Sequence, residues 1–138
     1  KVFQLNDLKA RDLMTPRVSA PTLNGSATLN ELKATLLKNN DQWWVVLGKE
    51  VDKVLGVANR EKLLTALLEG EGALTSAELS ETVEFVPEMI RVDRLLTSFD
   101  DNKRGVRVVV DEFGGFVGLI GAEAVLAVLA GWWRQSSS

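Results

Sequence analysis

The chain has 138 residues, of which 46% are apolar and 25% are charged, a balance typical of a soluble globular fold. It has neither Cys nor His, which excludes disulfides, thiolate chemistry and the commonest general base and metal ligand. Its net charge of −3 argues against nucleic acid as a partner, because phosphate binding needs clustered Lys and Arg. No apolar run approaches the roughly 20 residues of a membrane span and no signal peptide is evident, so we expect a soluble piece of what could be a larger membrane protein.

The first half of the chain predicts five elements, in the order strand, helix, strand, strand and helix. Thr28 is the predicted N-cap of the first helix, and Glu31, three residues later, completes a capping box. Apolar residues in that helix are spaced three and four apart, as in an amphipathic helix. The predicted elements span residues 18–21, 28–39, 45–47, 54–58 and 61–68.

The second half repeats this order. When residues 28–39 are placed over residues 91–102, at an offset of 63, Leu32 coincides with Leu95 and Leu36 with Phe99. The alternative is coincidence among Leu-rich helices, but four element types match in order. The remaining elements of the second copy are predicted at residues 82–86, 108–110, 116–120 and 123–129.

The repeat predicts two small units, a first repeat at 12–69 and a second at 79–131, with residues 70–78 as a linker rich in Gly and Glu. A unit of about 60 residues is marginal alone. We therefore expect an α/β (α+β) fold in which two β-α-β-β-α repeats pack sheet to sheet with pseudo-two-fold symmetry. Clefts at such a seam are the usual place for a small ligand. Residues 111–115 predict a hairpin in which two glycines take positive φ.

Three motifs resemble those of CorC-type proteins, a family also called hemolysin-related or magnesium and cobalt efflux proteins. Residues 12–17 (DLMTPR) resemble the start of their first repeat, residues 85–88 (FVPE) resemble a segment of their second, and residues 110–120 (VDEFGGFVGLI) resemble their VDEYGGTAGLVT. The two copies together resemble a tandem CBS-domain pair, or Bateman module. The resemblance implies a regulatory module on the cytoplasmic side of the inner membrane, joined to a transmembrane domain of the same polypeptide.

The resemblance also implies an adenine-nucleotide site at the seam, where a G-x-x-T-x-x-D segment begins each closing helix. Its Asp would accept ribose hydroxyls, while its Thr and the helix N-terminus would suit phosphate. Here Asn59 and Lys62 stand at the Thr and Asp positions of the first copy, and Gly121 and Ala124 at those of the second. We therefore expect ATP, ADP or AMP to bind weakly or not at all, with no cofactor required. The candidate cleft residues are Arg17, Val18, Asn59, Arg60, Lys62, Val110, Gly121 and Ala124.

Several residues carry two interpretations. Arg17 is a candidate phosphate contact or an ordinary surface arginine. Asp111 and Glu112 are interpreted as turn residues rather than metal ligands, and no metal site is expected. Trp132 and Trp133 are expected to pack on their own domain, with a partner surface as the alternative, and residues 132–138 to lead into a linker.

Two functions stay open at this point. One is a regulatory sensor that couples ligand occupancy to a membrane transporter, which needs different affinities in two states. The other is a structural dimerisation module that has lost nucleotide binding. A homodimer is expected from the resemblance, because CBS pairs often assemble as disk-like dimers. An enzyme is not expected, since no nucleophile and base occur together.

Overall fold

A computed structural model describes residues 7–50, 53–101 and 105–136. This part of the chain forms five helices and seven strands. In chain order they are α1 (Ala10–Leu13), β1 (Thr15–Pro16), β2 (Thr22–Asn24), α2 (Leu29–Lys38), β3 (Trp43–Leu47), β4 (Val54–Asn59), α3 (Arg60–Leu68), β5 (Glu84–Pro87), α4 (Val92–Asp101), β6 (Val106–Val110), β7 (Phe116–Gly121) and α5 (Ala122–Ser136).

The elements fall into two compact units. Residues 20–83 hold a three-stranded sheet of order β2-β3-β4, in which β2 is parallel and β4 antiparallel to β3. Residues up to Ser19 join those from Glu84 onward around a four-stranded sheet of order β1-β7-β6-β5. The first unit packs α2 and α3 against its sheet, and the second packs α4, α5 and the short α1, each over its own apolar core. The α+β class and the repeated order of elements are therefore confirmed.

The strand registers confirm the 63-residue offset. Leu23 lies beside Val46 in the β2–β3 pair, and Val86 lies beside Val109 in the β5–β6 pair. All four side chains are buried. The antiparallel ladders also shift register at equivalent places, directly after Val46 and directly after Val109. The two copies thus share strand alignments down to their irregularities.

The opening strands begin later than predicted, β2 by four residues and β5 by two. The N–H of Ser19 donates to the carbonyl of Pro16 over 2.8 Å, so residues 17–19 form a turn. Val18 is 94% exposed, whereas Leu23 is the apolar residue that β2 buries. The predicted strand at 18–21 was wrong because a β-branched residue in a turn resembles the start of a strand.

The segment predicted as a linker, residues 70–78, is hydrogen-bonded into the unit of residues 20–83. The N–H of Leu29 donates to the carbonyl of Leu74 over 2.9 Å. Ser76 is fully buried, and its hydroxyl donates to the carbonyl of Asn24 over 2.8 Å. This segment therefore covers the start of α2, where backbone N–H groups lack partners within the helix.

In the other unit, the N-terminal segment covers the start of α4 in the same way. The N–H of Val92 donates to the carbonyl of Leu8 over 2.9 Å. Leu8 and Leu74 are 66 residues apart, and so are Asp12 and Glu78, whose carboxylates each accept from a backbone N–H three residues earlier. Each copy of the repeat thus includes a further segment ahead of its opening strand. We call residues 8–15 and residues 74–81 the leading segments.

Each leading segment packs in the unit that holds the other repeat. Residues 8–15 come before the opening strand of the first copy but lie in the unit that holds the second copy. Residues 74–81 come before the opening strand of the second copy but lie in the unit that holds the first. The compact units are defined by contacts, and the repeat ranges of 12–69 and 79–131 stay a prediction about the sequence. In the sequence, each leading segment comes just before one repeat. Its hydrogen bonds are instead made to the first helix of the other repeat.

Arg107 is a fully buried charged residue in β6, at the position that Trp44 occupies in the first copy. Its guanidinium carbon lies 4.4 Å from the centroid of the Phe99 ring. Its Nη2 donates to the carbonyl of Ser98 over 2.7 Å, and its Nε lies 3.0 Å from the Glu84 carboxylate. Burial lowers the pKa of Arg107, and the Glu84 charge opposes that shift.

The closing helix α5 continues to Ser136, beyond its predicted end at residue 129 and through most of the predicted exit into a linker. Trp133 is 69% exposed, so most of its side chain is not buried by its own domain. The side chain of Trp132, like residues 137–138, lies outside the described part of the chain. Within the ranges 7–50, 53–101 and 105–136, no helix has the length and apolar character that a membrane span requires.

Thr28 caps α2 as predicted. Its Oγ1 accepts from the N–H of Glu31 over 3.3 Å, and Glu31 Oε1 accepts from the N–H of Thr28 over 2.8 Å. The Thr28 amide, and after it the hydroxyl, hold the pKa of Glu31 below its ordinary value of 4.5. We expect Thr28→Ala to lower the free energy of unfolding by about 1 kcal/mol, measured by chemical denaturation, because the cap is lost.

Thr65→Ala is the matched control, because Thr65 is an exposed interior residue of α3 and Ala favours helix. A lowered carboxyl pKa in the folded state contributes stability that is present above the unfolded pKa and lost as the pH falls through the folded one. Thr28→Ala keeps the amide that lowers the Glu31 pKa most and removes only the hydroxyl, so the difference in stability between wild type and Thr28→Ala should narrow only slightly below about pH 4.5. An equal loss of stability in Thr28→Ala and Thr65→Ala would contradict the cap.

Candidate functional site

Asn59 ends β4 and caps α3. Its Oδ1 accepts from the N–H of Glu61 over 3.0 Å and from that of Lys62 over 3.3 Å. A short amide side chain is suited to this, because it reaches backbone groups two and three residues later. The protein itself therefore occupies N–H groups at the helix start that could otherwise bind a phosphate.

Arg60 directs its Nε toward the end of α2. That atom donates to the carbonyls of Leu36 and Asn39, over 2.9 and 3.0 Å. The last carbonyls of a helix lack partners within it, and a guanidinium is a favourable donor to them. The Nε atom of this predicted site residue thus ties the end of α2 to the start of α3.

Lys62 forms an ion pair, with its Nζ 3.3 Å from Oε2 of Glu81. Lys62 is exposed, whereas the Glu81 side chain is only 18% exposed. The backbone of Glu81 is fixed against β4 by two hydrogen bonds with Val57, of 2.7 and 3.0 Å. A Cβ on Gly56 would overlap the Glu81 carbonyl oxygen, so a glycine in β4 permits this close approach.

An open groove of about 500 Å³ lies along α3 in the unit of residues 20–83. Its lining side chains include three carboxylates and one ammonium group. The net charge of the lining is therefore negative, which disfavours the binding of phosphate. The lining residues are Asn59, Glu61, Lys62, Thr65, Ala66, Glu69, Glu71 and Leu79.

In the other unit, Gly121 ends β7 and Ala124 lies in the first turn of α5, where neither offers a polar side chain. The carboxylate of Glu123 lies beside this turn, because its Oε2 is 3.3 Å from where a Cβ on Gly121 would be. A carboxylate at this place opposes the binding of a second anion. The second copy therefore offers fewer polar side chains at its helix start than the first.

Three other predicted residues lie at the opposite end of the same sheet. The Arg17 guanidinium carbon is 5.6 Å from the Phe116 ring centroid, and Val110 pairs with Phe116 across β6 and β7. Gly121 is five residues further along β7, roughly 17 Å away at the usual strand rise. Arg17 and Val110, with the exposed turn at Val18, are thus not brought together with Gly121.

Asp111 serves the hairpin, as predicted. Its Oδ1 accepts from the N–H groups of Phe113 and Gly115, each over 2.9 Å. Gly114 takes a φ of +81°, but Gly115 does not share the left-handed region, so that part of the hairpin prediction was wrong. Across the described residues, no three acidic side chains come close enough to hold a metal ion.

Glu81 is a partner of the candidate site residue Lys62 that sequence reasoning missed. It stands 19 residues after Lys62, beyond the supposed linker, and no helical or strand period connects the two. The signal that could have found it is the 66-residue offset, which aligns Glu81 with Thr15 of β1. Since β1 lies beside β7, the same alignment places Glu81 beside β4.

No family model matches the sequence. The chain is 45% identical over 131 residues to UPF0053 protein sll1254 of Synechocystis, a match that covers 95% of the chain and 38% of that protein. It is 30% identical over 130 residues to the magnesium and cobalt efflux protein CorC of Salmonella typhimurium, covering 94% of the chain and 44% of that protein. The chain thus spans roughly two fifths of the length of these curated relatives.

Among solved structures, the chain resembles the CBS domain of a bacterial CNNM/CorC family Mg²⁺ transporter in complex with ATP. The TM-score is 0.85 at 33% sequence identity, and the match covers 92% of this chain and 90% of that one. A CBS domain of a putative transporter from Clostridium difficile gives a TM-score of 0.84 at 24% identity, which is a likeness of fold alone.

Proposed function

The chain belongs to the CBS-domain modules of the CNNM/CorC family, and we propose that it is the regulatory part of a longer CorC-type transport protein. The proposed partner is the transmembrane domain of the same polypeptide, at the cytoplasmic face of the inner membrane. The module is non-catalytic in this proposal, because the relatives that are named for a function are efflux proteins and transporter domains rather than enzymes.

An adenine nucleotide is the proposed ligand, held weakly. A relative that is 33% identical carries ATP, which supports the ligand class. The observation that supports weak binding is the Asn59–Lys62 segment, whose polar groups are engaged by the protein itself. Nucleotide would have to compete with the Glu81 ion pair and with the acidic lining of the groove.

A structural dimerisation module is the second candidate. The closing helices expose large apolar side chains: Leu68 on α3 is 89% exposed, and Leu126 on α5 is 57% exposed. Contact with a second copy would remove such surface from water. Sedimentation at fixed concentration separates the candidates, since a dimer that forms equally without ATP supports the structural role and a dimer that needs ATP supports the sensor.

Restoring the family's Thr and Asp in the second copy should strengthen nucleotide binding. Gly121→Thr with Ala124→Asp adds a hydroxyl and a ribose acceptor at the start of α5. The site has room, because the nearest atoms to a Cβ at Gly121 are the flexible end of Glu123, at 3.3 Å, and a carbonyl at 3.6 Å. We expect affinity for AMP to rise about tenfold or more, the size of one or two charge-assisted hydrogen bonds, measured by isothermal titration calorimetry.

The matched control is Ala127→Asp, which adds the same charge at an exposed position of α5 and should leave affinity unchanged. Micromolar binding of ATP or AMP by the wild-type chain would contradict weak binding. An equal gain in the control variant would show that charge alone, rather than the restored motif, changes the affinity.

A further inference from the structure

We infer that two copies of this chain bind each other reciprocally, with the hairpin tip of each copy in a groove of the other. The tip consists of Glu112 and Phe113, between β6 and β7. The groove lies at the start of α4 and has a volume of about 440 Å³. Both features belong to the unit that contains the residues from Glu84 onward, and the inference is independent of nucleotide binding.

Phe113 is an aromatic side chain that a fixed turn presents to solvent, and it is 88% exposed. The Asp111 Oδ1 atom accepts from the N–H of Phe113 over 2.9 Å, and Gly114 takes a φ of +81°, which glycine adopts without strain. Glu112, beside Phe113, is exposed as well. A firmly held aromatic residue on the surface is typical of a group that anchors a protein contact.

The groove offers the chemistry that the tip needs. Three apolar side chains and two guanidinium groups line it, from Pro87, Met89, Ile90, Arg91 and Arg94. Met89 is 47% exposed, so part of this apolar surface faces water. The apolar part suits a phenyl ring and a guanidinium suits a carboxylate, so the two side chains of the tip match the two kinds of surface in the groove.

Arg94 and Glu112 carry the charges that the contact would bring together. Arg91 is already paired, with its Nη2 2.8 Å from Oδ2 of Asp93. Among residues 7–50, 53–101 and 105–136, neither Arg94 nor Glu112 takes part in an ion pair. Both side chains are exposed. Contact between copies would therefore join two opposite charges that are not paired within one copy.

Helix stability does not explain the two arginines at the start of α4. At the offset of 63, Thr28 and Glu31 stand at the equivalent positions of the first copy, where they form the capping box of α2. The N-terminus of a helix carries partial positive charge, so cations there are unfavourable. The second copy thus has two cations where the first has a stabilising cap, as expected of a surface that binds a carboxylate.

A second copy is the occupant because the groove and the tip lie at the same end of one sheet. Pro87 pairs with Val110, the residue directly before the hairpin, and the N–H of Glu88 donates to the Val110 carbonyl over 2.8 Å. The exposure of Phe113 shows that the tip does not fill the groove of its own copy. Two copies can therefore make both contacts at once about a two-fold axis.

The contact is small, so the association should be weak. A hairpin tip in a groove buries less than the roughly 1,200 Å² of a stable interface, and the dimer should be populated only at high protein concentration. This surface is also separate from Leu126, the exposed apolar residue of the closing helix α5. Variants can therefore distinguish it from dimerisation through the closing helices.

Disulfide trapping tests the contact directly, because the chain has no Cys. Chains that carry Glu112→Cys are mixed with chains that carry Arg94→Cys under a mild oxidant, and the mixed disulfide is followed by mass spectrometry. We expect this pair to cross-link about tenfold faster than Glu112→Cys with Leu37→Cys, because docking raises the local concentration of the two thiols. Leu37 is 61% exposed on α2, so the control thiol is accessible too.

Exchange of the two charges tests the same contact without cysteine. Arg94→Glu should weaken self-association about fivefold in sedimentation equilibrium at high protein concentration, because it places two carboxylates together. Glu112→Arg should weaken it as well. The double variant Arg94→Glu with Glu112→Arg restores an opposite pair and should recover the association of wild type.

Equal cross-linking rates for the two cysteine pairs, or a double variant that associates no better than Arg94→Glu alone, overturns the inference. Self-association that Leu126→Ser abolishes and Arg94→Glu leaves unchanged also overturns it, and assigns the dimer to the closing helices instead. All these positions are exposed, and circular dichroism of each variant checks that the fold is kept.

Discussion

Arg107→Ala is expected to lower the free energy of unfolding by about 3 kcal/mol, as large truncations in a core do. The Arg107 side chain is fully buried in β6, so its removal leaves a cavity over the Phe99 ring. The carbonyls of Ser98 and Val106, which accept from its guanidinium over 2.7 and 2.8 Å, would also lose their donor. Urea denaturation followed by circular dichroism measures the loss.

Arg94→Ala is the matched control, because Arg94 is an exposed arginine on the neighbouring helix α4. It should change stability by no more than about 0.5 kcal/mol, as surface substitutions do. Arg107→Lys should recover only part of the loss, since an ammonium group cannot reach two carbonyls and stack on a ring as a planar guanidinium does. A loss below about 1 kcal/mol in Arg107→Ala would contradict a packed, hydrogen-bonded role.

Gly56→Ala is expected to lower the free energy of unfolding by about 2 kcal/mol, the cost of overpacking a tight contact. The added methyl group would overlap the carbonyl oxygen of Glu81, a backbone atom fixed by hydrogen bonds with Val57. Either β4 or the segment beside it must therefore move. Amide hydrogen exchange at Val57 reports this directly, because its N–H donates to that same carbonyl.

Gly131→Ala is the control for Gly56→Ala. A Cβ at Gly131 would meet nothing within 4 Å, and Ala is favoured over Gly inside a helix such as α5. This variant should be as stable as wild type or up to about 1 kcal/mol more stable. If Gly56→Ala kept wild-type stability and unchanged exchange at Val57, the tight approach of Glu81 would not hold in solution.

Local signals predicted much of the fold. The capping box at Thr28 and Glu31 and the turn chemistry of Asp111 each depend on residues within four positions, and the structure confirms both. The leading segments escaped prediction because their structure is not local. Residues 74–81 form no long helix or strand, and their composition is that of a linker until their hydrogen bonds to α2 are known.

The candidate site was likewise predicted only where local signals exist. Asn59 and Lys62 were found because they occupy fixed places in a motif, and the structure shows what each contacts. Glu81 was missed because a side chain 19 residues distant gives no periodic signal. Val110 was grouped with Gly121 although they lie at opposite ends of the β6–β7 ladder, since sequence spacing does not show which strand end a residue occupies.

Because the leading segments are exchanged between the copies, each folded unit contains residues from both copies of the repeat. In the sequence, each copy of the repeat is a continuous stretch that begins with its own leading segment. Folding instead completes each unit with the leading segment of the other copy. A chain cut at the repeat boundary would leave each half with amide groups at a helix start that lack their partners. Neither copy is self-sufficient, which gives natural selection a physical reason to keep the two in one polypeptide.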